Sequence, residues 1–158
     1  MIKPIKIPEE RFAVLIGENG KTKRFIEKQT KTKIKISDEI IIEGEALDIL
    51  TTENIIKAIG RGFSPHNAML LLDEENCLDL IQLPENEKSM KRIRSRLIGT
   101  KGKARRNMER LTKTKISVYG KTVSIIGTYD NLSKAKMAIE KLIGGFSHRS
   151  VYVFLEKG

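Results

Sequence analysis

The 158-residue chain has no tryptophan, three tyrosines and five phenylalanines. Aromatics make up only 5% of it, which excludes a binding surface built on extensive aromatic stacking. There is one cysteine, Cys77, so no intrachain disulfide is available and a reducing, cytoplasmic setting is expected. Cys77 has no cysteine or histidine cluster around it for a metal and reads as a small buried residue. The two histidines, His66 and His148, lack a partner that would position them as bases and read as surface or packing residues. No apolar run approaches the roughly 18 residues that cross a membrane. Met1-Ile2-Lys3-Pro4 lacks the apolar core of a signal peptide. Acidic groups such as Asp38-Glu39 and Asp73-Glu74-Glu75 fall in expected turns and read as solvated. The sequence therefore offers no catalytic constellation, and no enzyme activity, metal or cofactor is expected.

Basic charge is abundant, but unevenly placed. Charged residues are 32% and apolar residues 39%, a soluble globular balance, with a net charge of +10. Residues 1–78 hold 12 Lys/Arg against 13 Asp/Glu, whereas residues 79–158 hold 18 against 7. The excess positive charge belongs to the second half, which suggests nucleic acid or another acidic surface as its partner. A basic solubilising face is the alternative reading of charge alone.

An internal repeat organises the chain. Leu15-Ile16-Gly17-Glu18-Asn19-Gly20-Lys21 returns 82 residues later as Leu97-Ile98-Gly99-Thr100-Lys101-Gly102-Lys103. Thr30-Lys31-Thr32-Lys33-Ile34 likewise returns as Thr112-Lys113-Thr114-Lys115-Ile116. Across 15–36 and 97–118, 12 of 22 positions are identical. Two small domains follow, 1–75 and 76–158, each with a C-terminal extension and a marginal core of its own. Asp73-Glu74-Glu75-Asn76 is the expected boundary.

Periodicity predicts the same element order in both copies: strand, helix, loop, helix, strand, strand, helix. In the first, Ile2, Ile5 and Ile7 alternate as a strand and Pro8 opens a helix carrying Phe12, Leu15 and Ile16. A second helix, about Lys21 to Thr30, is expected to turn Phe25 and Ile26 inward. Lys33 to Ile36 and Glu39 to Glu43 read as strands, and Leu47, Leu50, Ile55, Ile56 and Ile59 mark a closing helix. In the second copy, Leu78, Leu80, Ile81 and Leu83 form the strand and Pro84 opens the helix. Lys103 to Leu111 is the next helix. Lys115 to Tyr119 and Thr122 to Ile126 pair around Gly120-Lys121, with Gly127 ending them. Leu132, Ala135, Met137, Ile139 and Leu142 line the last helix. Gly-Phe-Ser and an apolar tail follow each copy; Pro65 favours a helix in the first. Val151-Tyr152-Val153-Phe154 fits helix or strand, and analogy with the first copy favours helix.

Gly-x-x-Gly lets two helices meet at a sharp turn and a ligand backbone come close, since glycine has no Cβ. The following helix begins there, so its free N–H groups and dipole face a phosphate. Bases then lie against the Ile34/Ile36 or Ile116/Val118 strand. A structural helix–helix turn is the alternative, and the motif alone is weak. Its repetition in register, between Leu-Ile and a basic helix, makes it specific. The Gly-Lys-Ser/Thr ending of a P-loop is missing. Glu18 puts a carboxylate into the first loop, where it repels phosphate; Lys101 in the second attracts it. The second copy also has six more residues between proline and loop, about 9 Å of helix, bearing Lys88, Lys91, Arg92, Arg94 and Arg96.

An apolar pair, Gly-x-x-Gly and a basic helix form the core of a KH module, which clamps about four nucleotides of a single strand. Gly102-Lys103 through Ile116, then Ile126-Gly127, Asn131-Leu132, Ala135-Lys136, Ala138-Ile139, Leu142-Ile143-Gly144 and Val151-Tyr152 resemble the two-KH ribosome-assembly factors of the Dim/Partner-of-Nob family, in particular its short archaeal members. The resemblance implies an α+β fold of two tandem type I KH domains (β-α-α-β-β-α), each a three-stranded sheet packed on helices, side by side. It implies a non-enzymatic factor that binds single-stranded rRNA near the 3′ end of the small-subunit RNA. Initiation factor two α subunit and the rRNA-processing nuclease are the implied protein partners. RNA contacts are expected from Arg94, Arg96, Ile98, Gly99, Thr100, Lys101, Gly102, Lys103, Arg105, Arg106, Lys115 and Ile116. RNA or partner contacts are expected from Ile16, Gly17, Glu18, Asn19, Gly20, Lys21, Lys23 and Arg24. The third residue after the loop, usually apolar in KH modules, is Lys23 or Arg105, which matches the Dim-type pattern. A protein-docking adaptor with RNA secondary, and a general single-strand binder, remain as alternative functions.

Overall fold

A computed structural model describes residues 1–157 and divides into two compact units, Met1–Glu74 and a second that begins at Glu75. The first runs β1 (Ile2–Ile5), α1 (Phe12–Ile16), α2 (Lys21–Thr30), β2 (Lys33–Ile36), β3 (Ile40–Glu43), α3 (Ala46–Gly60) and α4 (Pro65–Ala68). The second runs β4 (Asn76–Gln82), α5 (Glu87–Ile98), α6 (Lys103–Thr112), β5 (Lys115–Tyr119), β6 (Thr122–Thr128), α7 (Tyr129–Ile143) and α8 (His148–Lys157). Each unit has an antiparallel three-stranded sheet, ordered β1-β3-β2 and β4-β6-β5. The third strand of each unit sits centrally, so β2 and β5 each form one edge of their sheet. This is the β-α-α-β-β-α arrangement expected of two tandem KH domains.

Helix stripes set the cores. In α3 the buried residues Ile49, Thr52, Ile56 and Ile59 recur at three and four. Leu47 and Leu50 lie off that stripe and are 79% and 54% exposed, contrary to the sequence reading. Phe25 is also turned outward, at 52% exposure, while Ile26 is fully buried. In α7, Leu132, Ala135, Ile139 and Leu142 form the stripe and Met137 falls off it. Cys77 is exposed on the edge strand β4 rather than buried.

Three element ends also differ from expectation. Helix α5 begins after Pro84, because Asn86 caps it by accepting the Ser89 N–H through Oδ1 at 3.0 Å. Ile7 lies beyond β1, which ends at Ile5. Gly127 does not end β6 but lies within it, opposite Cys77. A Cβ at Gly127 would come within 2.8 Å of Thr114 Cγ2, so that glycine serves close strand packing. The apolar tails are helical in both units, as α4 with a following 3-10 turn and as α8.

The repeated Thr-Lys-Thr-Lys segment is a built corner between helix and strand. Thr112 Oγ1 donates to Met108 O at 2.6 Å and lies 2.7 Å from Thr114 Oγ1. Thr30 and Thr32 repeat the arrangement at 2.7 and 2.8 Å, and Thr52 joins at 3.2 Å. All five hydroxyls are buried, so the bonds satisfy groups that would otherwise be costly. Between them, Lys31 and Lys113 take left-handed backbone angles at φ 59 and 57.

Candidate nucleic-acid interface

Both glycine loops have the same backbone. Gly99 and Gly102 sit at φ 74 and 76, and Gly17 and Gly20 at 75 and 76. The residue between, Lys101 or Asn19, is left-handed at φ 54. A Cβ on Gly99 would lie 2.7 Å from both Ala104 N and Ala104 Cβ, so glycine is required by space as well as by dihedral. No side chain caps α6 or α2. Lys103 N–H donates back to Thr100 O and Lys21 N–H to Glu18 O, and the N–H groups that follow in the first turn have no side-chain cap.

Around the second loop the charged groups separate into two kinds. Lys101, Lys103 and Lys115 are exposed, and Thr100 is exposed beside them. Arg106 donates to Lys101 O at 2.6 Å and so braces the loop from outside. Arg94, with Lys91 and Ile98, lines a small groove on the outer flank of α5. The Arg94 Nε is buried without a hydrogen-bond partner.

Other expected contacts point into the protein. Arg96 donates through Nε to Leu142 O at 3.4 Å and through Nη2 to Phe146 O. It therefore ties α5 to the carbonyl end of α7, where a cation is favoured. His148 Nε2 lies 2.8 Å from Arg96 O and packs the same corner. Arg105 pairs with Glu109 at 3.0 Å. Ile116 is only 3% exposed, so it supports the strand from the core.

Two pieces of the site escaped the sequence reading. Glu109 accepts the Ile116 N–H through Oε2 at 2.8 Å, closing the outward amide of the edge strand. Glu27 does the same for the Ile34 N–H at 2.8 Å. There Lys23 also pairs with Glu27 at 3.4 Å and donates to Ile34 O at 3.3 Å. The signal was present, since Glu27/Glu109 is the one acidic identity in the repeated segment. The second piece is Arg11, which donates to Ile59 O at 2.7 Å and Phe63 O at 2.9 Å. It does the work of Arg96 from a position one helical turn earlier relative to the loop, so repeat alignment does not pair them.

In the first unit the loop presents exposed Glu18 and Asn19, with Lys21 and Arg24 exposed behind them. Ile16, Gly17 and Gly20 are half-buried, and Lys23 is held by Glu27. The two units thus share one loop geometry with opposite charge at its tip. Among the described residues no group of three His, Cys, Asp or Glu is placed to hold a metal. No helix among them is long and apolar enough to cross a membrane.

A three-stranded sheet with this helix order and a glycine loop between two helices defines a KH-type nucleic-acid-binding protein, here in tandem. Family comparison agrees. Residues 74–158 match the eukaryotic type KH domain (KH-domain type I), and residues 2–62 match the KH domain. A KH domain-containing protein of Methanocaldococcus jannaschii is 39% identical, over 99% of this chain and 73% of that one. The crystal structure of Dim2p from Pyrococcus horikoshii superposes with a TM-score of 0.94 at 44% identity, covering 100% of this chain and 99% of that one. The crystal structure of an a/eIF2alpha–aDim2p–rRNA complex from the same organism matches with a TM-score of 0.93 at 44% identity, covering 99% and 93%. The chain belongs to the archaeal two-KH ribosome-assembly factors of the Dim/Partner-of-Nob family.

Proposed function

We propose that this protein binds single-stranded ribosomal RNA during small-subunit assembly, near the 3′ end of that RNA and mainly through its second KH domain. It acts by holding RNA, without turnover, in the cytoplasm. The observation that carries the reading is the contrast between the loops: one backbone geometry, with Glu18 at the first tip and Lys101 at the second. Support comes from a 44% identical relative crystallised in complex with a/eIF2alpha and rRNA.

In this reading the sugar-phosphate backbone lies against Gly99–Gly102. A phosphate meets the uncapped N–H groups of α6, whose dipole favours it. Lys101 and Lys103 add charge, and Arg106 keeps the loop in place through the Lys101 carbonyl. Bases cross Ile98 and the β5 edge, with Arg94 and Lys115 at its margins. The Arg105–Glu109 pair stands at the Ile116 amide. A base reaching that amide either displaces the pair or is read by it.

Initiation factor two α subunit and the nuclease that matures the RNA end are the proposed protein partners. A second reading gives the first domain to protein docking, with RNA secondary. Exposed Phe25 and Leu70 beside the acidic loop favour it. Titration of the full chain with its own rRNA 3′ end and with a scrambled RNA, at roughly 150 mM salt, tests the proposal. Binding at least tenfold tighter to the native sequence supports it. Equal binding reduces the activity to charge and moves the docking reading first.

A further inference from the structure

The second KH domain has a groove on the far side of its glycine loop from the proposed base path. It has a volume of about 560 Å³ and is lined by Arg92, Thr100, Lys103, Asn107, His148 and Tyr152, with Arg96 at its base. At 100° per residue, Lys103 and Asn107 fall on the face of α6 opposite Arg105 and Glu109. The volume lies within the range of small-ligand sites. Helix α8 supplies its outer wall, so the groove belongs to the C-terminal extension and not to the minimal β-α-α-β-β-α module.

Its chemistry suits a nucleotide. Arg92 and Lys103 are exposed cations, and no carboxylate lines the groove. Asn107 offers both a donor and an acceptor to a base edge. Tyr152 is half-buried, and its ring lies 6.2 Å from that of His148 at a 40° tilt. Neither ring covers the other flat, which leaves Tyr152 a face for stacking. The first domain has a groove of about 530 Å³ at the same place in its fold, lined by Thr22, Phe25, Pro65, Met69 and Leu70 with Lys21 and His66. There Phe25 stands for Asn107, Pro65 for His148 and Met69 for Tyr152. One architectural site has thus taken an apolar lining in one copy and a polar, cationic, stackable one in the other.

We propose that the α5–α6–α8 groove of the second domain is an additional RNA subsite. It holds one nucleotide flanking the stretch clamped at the glycine loop, with the base on Tyr152 and the phosphate between Arg92 and Lys103. The inference rests on the RNA-binding reading above, and the test separates the two.

The experiment titrates the full chain with the rRNA 3′-end oligonucleotide, placing 2-aminopurine at each position in turn. In the wild type and in Tyr152→Phe, one position outside the clamped stretch is quenched on binding. In Asn107→Phe/Tyr152→Met, built from the first domain's own residues, that quenching is lost. Affinity for the long RNA falls about tenfold, as expected for one lost stack, while affinity for a loop-spanning tetranucleotide holds. Arg92→Glu, an exposed change that leaves packing alone, lowers long-RNA affinity in the same way and controls for misfolding of the double variant. Unchanged quenching and affinity in both variants overturn the subsite and leave the loop reading standing. Loss of binding to the initiation factor α subunit with RNA binding intact also overturns it, giving the groove to protein. Failure of the wild type to bind any RNA overturns both.

Discussion

Lys113 holds a left-handed backbone at φ 57 in the corner between α6 and β5. That conformation costs an L-residue about 1–2 kcal/mol, and the corner is fixed by buried threonines on either side. Lys113→Gly is therefore expected to stabilise the second domain by about 0.5–1 kcal/mol after glycine's larger unfolded-state entropy is set against it. A thermal melt checks this: Tm rises by roughly 3–6 °C. The opposite holds at Gly99. Its φ of 74 and the 2.7 Å approach to Ala104 leave no room for a Cβ. Gly99→Ala is expected to cost about 2 kcal/mol or more, read as a drop in denaturant midpoint. Arg96 and Lys101 separate by salt response. Arg96→Ala removes bonds to the carbonyl end of α7 and lowers stability by about 2 kcal/mol. It leaves the slope of log K against log salt unchanged. Lys101→Ala leaves Tm unchanged and reduces that slope by about 0.7.

The elements show which parts of the fold a linear pattern can carry. The loop, the basic helix and the alternating strand were legible because glycine pairs and period-two alternation are local. The core faces of α2, α3 and α7 were less so. Their sequences carry more apolar residues than one stripe holds, and Phe25, Leu47 and Met137 lie outside it. Comparison of the copies would have exposed Phe25, whose counterpart is Asn107. The clamp from Arg11 and Arg96 was not legible, because Arg11 sits in the 3-10 turn before α1 while Arg96 lies in the last turn of α5, and both meet carbonyls 46 or more residues away. Glu109 was visible as an identity, but its role depends on an edge amide that only the sheet order exposes. Glu109→Gln keeps a hydrogen-bond acceptor for Ile116 but loses the charge that holds Arg105. It is expected to change base preference without loss of fold, measured by competition among RNAs differing at single positions.

Across the chain, charge and loop geometry point to a division of labour. The first domain is nearly neutral, carries Glu18 at its loop and an apolar groove beside it. The second carries the excess of Lys/Arg and a polar groove. An ancestral repeat that kept its backbone while its surfaces diverged explains both observations. The electrostatic share of RNA affinity should then follow the second domain alone.

The most direct measurement is RNA affinity of loop variants in the intact chain. Thr100→Asp/Lys101→Asp is compared with Glu18→Lys and with wild type on the same rRNA 3′-end oligonucleotide, at roughly 50 and 200 mM salt. Both substitutions lie on exposed loop residues, and equal melting temperatures confirm intact folds. The account predicts loss of at least a hundredfold in affinity for the Asp pair and a change of no more than a few fold for Glu18→Lys. Wild-type affinity in the Asp pair would contradict the assignment of RNA binding to the second loop.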